Sequence, residues 1–185
     1  MKPEDLRRNI AGTLYEMKRQ TGKEPGGPSG LCHKVVVGAL TGNGEKLVFQ
    51  QAPDRMSQKR EEIVMGLNSY PISIQGVTPQ EALPAVLTQE EVPLDAVIVT
   101  GISREFHRGH EIAVVPNDGK GPYAIVDSLL SGALLEGQEV DDVSHFMDRF
   151  SHVIDLYVVP IEKQRERPRF FYPQKGVFAL FPPTI

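Results

Sequence analysis

Leu31-Cys-His-Lys-Val-Val-Val-Gly-Ala-Leu40 reads in two ways, and the choice between them decides the fold. Leu31, Val35, Val36, Ala39 and Leu40 fall at i, i+4, i+5, i+8 and i+9, which marks one face of a helix. The same residues fit a strand, because Val35-Val36-Val37 favours β structure. In that case Thr41-Gly-Asn-Gly44 becomes a hairpin turn into Leu47-Val-Phe-Gln50. The choice bears on chemistry as well. A thiol at a helix N-terminus is activated by the helix dipole, and one at the start of a strand is not.

Upstream of this stretch, Leu6, Ile10, Leu14 and Met17 recur at helical spacing, and Pro3 suits a first turn. They predict a helix over Pro3 to Arg19, followed by a breaker-rich loop from Thr21 to Gly30. Downstream, Asp54 to Leu67 reads as a helix and Tyr70-Pro-Ile-Ser-Ile-Gln75 as a short strand. Thr78, Pro79 and Glu81 spell an N-cap, a first helical proline and the acid of a capping box, for a helix running to about Leu87.

Three β-rich runs follow: Ala96 to Thr100, Glu111 to Val115 and Tyr123 to Val126. The last two form a hairpin around Asn117-Asp-Gly-Lys-Gly121. Val140 to His152 reads as an amphipathic helix, with Val143, Phe146, Met147, Phe150 and Val153 on one side. Leu156 to Ile161 and Gly176 to Phe181 complete the strands. Helices and strands do not alternate regularly, so the fold class is α+β, with N-terminal helices packed on an antiparallel sheet.

The 185 residues fit one domain, spanning 1–185, with enough chain for a proper core. Hydrophobic residues are 40% and charged residues 24%, as in ordinary globular proteins. The formal net charge of −4 disfavours nucleic acid as a partner, because phosphate binding needs a basic face. A single cysteine rules out an intrachain disulfide and any zinc site built from several thiolates. Met1-Lys-Pro-Glu-Asp-Leu-Arg-Arg8 lacks the apolar core of a signal peptide. No apolar run approaches the ~18–20 residues of a membrane helix. The chain therefore reads as a soluble cytosolic product with no membrane partner, leaving open export by a route that uses no cleaved signal.

Cys32, His110 and Asp127 are the residues that propose a chemistry. A thiol attacks carbon well only as a thiolate, which needs a base or a neighbouring imidazolium. The base in turn needs its second ring nitrogen held by a third group. His110 opens one strand of the expected hairpin and Asp127 closes the other. Antiparallel pairing then brings them to the same sheet edge.

Gly109-His110 before Ile112-Ala-Val-Val115, with Gly121-Pro-Tyr-Ala-Ile-Val-Asp127, resembles the His and Asp elements of papain-like cysteine hydrolases. The likeness is greater to bacterial toxin and effector branches than to plant or lysosomal proteases. It covers Gly30 to Ser128. Such a resemblance implies a papain-like core whose cysteine opens a helix after a glycine-containing loop, as Gly30-Leu31-Cys32 would. It also implies an amide hydrolase, either a protease or a glutamine deamidase, acting on a protein or peptide substrate without a cofactor. Two departures stand out. His33 replaces the usual aromatic after the cysteine, and Gln20 lies twelve residues before Cys32, further than an oxyanion-donating glutamine usually sits.

Several other residues carry weaker readings. His107 is an alternative base to His110, and His33 reads as a solvent-facing neighbour of the cysteine. His107 and His110 with Glu105 or Glu111 make a poor metal set on a strand, so neither a metal nor a cofactor is assigned. Gly42-Asn-Gly44 lacks the Lys-Ser/Thr of a phosphate loop. Glu162 to Arg169 reads as a solvated charged loop, and Phe170-Phe-Tyr172 as packing. The competing functional class is a non-enzymatic α+β interaction module, such as an adaptor or immunity-type protein, working through residues 162–172.

Overall fold

In a computed structural model, the described residues are 1–24, 30–50, 55–72, 76–88, 94–117, 120–160, 170–172 and 177–179. Residues 31–40 resolve as helix. Leu31 is the N-cap and the rest fall in α2 (Cys32–Thr41), which ends on Gly42 in the left-handed region at φ 69°. The hairpin turn that the alternative strand reading would place at 41–44 is therefore absent, and Gly44–Lys46 forms a single 3-10 turn. Burial overrides the β preference of the valine run, because α2 is buried nearly all round, with residues 33 to 40 all buried.

The helix α1 (Pro3–Thr21) has proline in its first turn, acids at Glu4 and Asp5, and bases at Lys18 and Arg19, all favourable to the helix dipole. It lies against α2 through Thr13. A Cβ on Gly38 would sit 2.5 Å from Thr13 Oγ1 and 2.6 Å from Thr13 Cγ2. Only glycine allows that approach.

A six-stranded antiparallel sheet has the order β1-β6-β2-β3-β4-β5. Its strands are β1 (Tyr70–Ile72), β2 (Leu94–Ser103), β3 (Gly109–Asn117), β4 (Lys120–Asp127), β5 (Leu134–Gln138) and β6 (Phe150–Pro160). The α+β class holds, with helices on both faces. Ala96, Ile98, Ala113, Val115 and Val126 join α1 and α2 in one core. Val97, Val99, Ile112, Val114 and Ile125 join the other core, with α4 (Pro79–Thr88) and α5 (Val140–Phe146). Because both faces are covered, the central strands read as continuous apolar runs instead of alternating ones.

Three sequence expectations change. The helix predicted for 54–67 is α3 (Arg55–Val64), with Gly66 at φ 80° turning the chain after it. The helix predicted for 140–152 stops at Phe146. One 3-10 turn follows at Met147–Arg149, and β6 begins at Phe150, six residues before the expected Leu156. Strand β5 was not expected.

The capping box forms as read. Thr78 N–H donates to Glu81 Oε2 at 2.9 Å, and Glu81 N–H donates to Thr78 Oγ1 at 3.3 Å. Two short strands, β7 (Phe170–Tyr172) and β8 (Val177–Ala179), pair with each other. The charged loop expected at 162–169 lies outside the described residues.

Candidate active site

Helix α2 begins at Cys32, so the cysteine amide lies in a first turn that offers no intrahelical acceptor. Gly30, at φ 70°, turns the chain into that helix. The thiol is partly exposed. Strand β3 carries His110, and Asp127 ends β4 opposite Ile112. His110 is thus the diagonal neighbour of Asp127, within reach of a long side chain on the same sheet face.

The ring of His110 is held by Asp127. Its Nε2–H donates to Asp127 Oδ1 at 2.9 Å. Nδ1 is the ring nitrogen left over, and Cys32 lines the same cleft as His110. Burial opposes the imidazolium, but the hydrogen bonds and charges of Asp127 and Cys32 outweigh it and push the His110 pKa up to about 9. The ring also stacks on Phe150, with centroids 5.7 Å apart and planes at 28°.

Asp127 is fully buried, and its oxygens are well supplied. Oδ1 accepts a second hydrogen bond from Leu129 N–H at 2.8 Å, and Oδ2 accepts from Arg149 at 3.0 Å. Burial alone would raise this carboxyl. The imidazolium, the Leu129 amide and the Arg149 guanidinium together hold it below the usual aspartate range. Arg149 is itself positioned over the Phe146 ring, 5.0 Å from its centroid. Asp127 is therefore a turn residue and a histidine partner at once.

A cleft of about 400 Å³ opens beside Cys32 and His110, with His33, Lys59, Glu62 and Glu111 among its walls. A second cavity of about 430 Å³ borders His110 as well, lined by Ser103, Arg104, His145 and Arg149 among others.

Other sequence expectations shift. His33 does not face solvent: it is 2% exposed, and its Nδ1–H donates to Glu111 Oε1 at 3.0 Å. Burial works against its charge, but the hydrogen bond to Glu111 and the charges of Glu111, Glu62 and Glu61 raise its pKa. Gln20 is engaged elsewhere. Its Nε2 donates to Leu47 O and its Oε1 accepts from Phe49 N–H, both at 2.9 Å, so it clamps the segment after α2. His107 sits exposed in the turn before β3 at φ 51° and does not line the cleft.

Sequence reasoning missed Arg149 and Gly101, and read Glu111 only as a poor metal ligand and Phe150 only as a helix-face residue. Gly101 lies directly across β2 and β3 from His110. No local motif marks any of the four, because each acts through a residue distant in sequence.

Among the described residues, no group of three His, Cys, Asp or Glu is placed to hold a metal ion, and no helix is long and apolar enough to cross a membrane. Compared with known protein families, curated proteins and solved structures, the chain matches none.

Proposed function

We propose that the chain is a papain-like thiol hydrolase acting on an amide bond of a protein or peptide, of the bacterial effector or toxin type, with glutamine deamidation as its first candidate reaction. One observation carries this reading. The His110 ring is held by Asp127 at 2.9 Å and lines one cleft with Cys32.

In the proposed reaction, the thiol proton already rests on the His110 ring, whose raised pKa favours the imidazolium, and the Cys32 sulfur attacks the amide carbon as thiolate. The developing oxyanion lies near the amide N–H groups at the start of α2. His110 then gives its proton to the leaving ammonia or amine, and the C–N bond breaks. Water attacks the resulting thioester with His110 as base, releasing the acid and restoring the thiol. Asp127, held by Arg149, keeps the ring oriented and stabilises the imidazolium throughout.

The test is mass spectrometry of glutamine-containing peptides and proteins incubated with the purified chain. The reading expects deamidation or cleavage that Cys32→Ser and His110→Ala both abolish. Turnover that persists in Cys32→Ser would overturn it.

A further inference from the structure

Three consecutive residues of the first turn of α2 each meet a different partner. Cys32 lines one cleft with His110 of β3, His33 bonds Glu111 of β3, and Lys34 Nζ donates to Glu61 of α3 at 2.6 Å. Glu111 alternates with Ala113 and Val115 on the α2-facing side of β3, so the His33–Glu111 contact ties the first turn of α2 to the strand that carries His110. The helix has no side-chain N-cap and no acid of its own in that turn. Glu111 and Glu61 supply from outside the negative charge that a helix N-terminus favours.

The His33–Glu111 contact is deeply buried. Nδ1 of His33 lies 3.0 and 3.2 Å from the two oxygens of Glu111. The His33 and Glu111 side chains are 2% and 9% exposed. On the far side of the ring, Nε2 is buried without a partner among the described residues, 4.0 Å from Glu61 Oε2, which is also unpartnered. Swinging the ring off Glu111 would orphan a second buried nitrogen, at the full desolvation cost of that group. Only this setting gives a ring nitrogen of His33 its hydrogen bond, and the backbone of the turn is held with it.

We infer that His33 and Glu111 are positioning residues for the proposed Cys32–His110 pair. Their contact fixes the rotation and depth of the first turn of α2 against β3, and so sets where the thiol meets the imidazole. The inference rests on the proposed triad. Its leverage comes from geometry, since a displacement of an ångström at a reacting group can cost about 10²-fold in rate.

The experiment separates reach from charge. Glu111→Gln keeps the length and an acceptor oxygen but loses the charge. Glu111→Asp keeps the charge but shortens the reach. His33→Asn withdraws from the contact on the other side. Each variant is checked by thermal melting, and the readout is the rate of Cys32 alkylation by iodoacetamide at pH 7, with His110→Ala as reference.

Positioning predicts that Glu111→Gln stays within about threefold of wild type, while Glu111→Asp and His33→Asn slow by about tenfold or more. Lower melting temperatures with unchanged alkylation in Glu111→Asp and His33→Asn would overturn the inference and leave a plain structural tie. Equal slowing in Glu111→Gln and Glu111→Asp would also overturn it, by assigning the effect to more than reach. If His110→Ala alkylates as fast as wild type, the triad itself falls, and this inference with it.

Discussion

His110 reaches Asp127 diagonally across the β3–β4 pairing, with 2.9 Å between Nε2 and Oδ1. Replacing the carboxylate by an amide keeps the shape but removes the charge that favours the imidazolium. Asp127→Asn is expected to lower the His110 titration midpoint from about 9 and to reduce any amide-hydrolysis rate by about 10²–10⁴-fold. An NMR titration of the His110 ring, beside turnover measurements, checks both effects.

A second expectation concerns pH. The proposed mechanism uses the His110 imidazolium as the acid that protonates the leaving group. Activity should therefore fall as pH rises through about 9. The stability sign is the same. The His110 pKa is raised on folding, so its contribution is full below its unfolded value of 6.5 and is lost as pH rises through about 9. Asp127 acts in the opposite direction, contributing above its unfolded value of 3.8 and losing that contribution as pH falls through its lowered folded value. Thermal melting across pH, in wild type and His110→Ala, should show the alkaline loss shrink in the variant.

The site was half legible in the sequence. His110 and Asp127 could be paired because antiparallel hairpin geometry converts chain position into proximity. The first half of β6 was hidden by its bulges. Against β2, the register skips Ser151 and Ile154, so Phe150, Val153 and Leu156 are buried at intervals of three. That spacing imitates a helix, which is why 140–152 read as one. Strand β5, Leu134-Leu-Glu-Gly-Gln138, is an edge strand with no β-branched residue, so nothing local announced it. His33 read as solvent-facing because its partner Glu111 lies 78 residues away.

Gly101 links the fold to the site. A Cβ there would lie 2.5 Å from His152 O and 2.6 Å from Phe150 Cδ1, and Phe150 is the ring on which His110 stacks. Gly101→Ala should cost about 1–3 kcal/mol in urea unfolding and also depress activity, because the displaced ring moves His110. Gly38→Ala should cost a similar amount through Thr13. Comparing activity per folded molecule in the two variants distinguishes them, since only Gly101→Ala disturbs the His110 stack directly.

Arg149 is expected to tune the site without being essential to it. Its side chain is 43% exposed and shares Asp127 with His110 and the Leu129 amide. Arg149→Met should lower the His110 midpoint less than Asp127→Asn does and reduce turnover by less, because two of the three donors to the carboxylate remain. The same NMR titration and turnover assay read it.

The most direct test of the central claim, a reactive Cys32–His110 pair, is the alkylation rate of Cys32 by iodoacetamide in wild type and His110→Ala, followed across pH. The account predicts fast labelling at pH 7 that falls by about tenfold or more in the variant. Slow labelling that is the same in both proteins would contradict it and make Cys32 a packing residue.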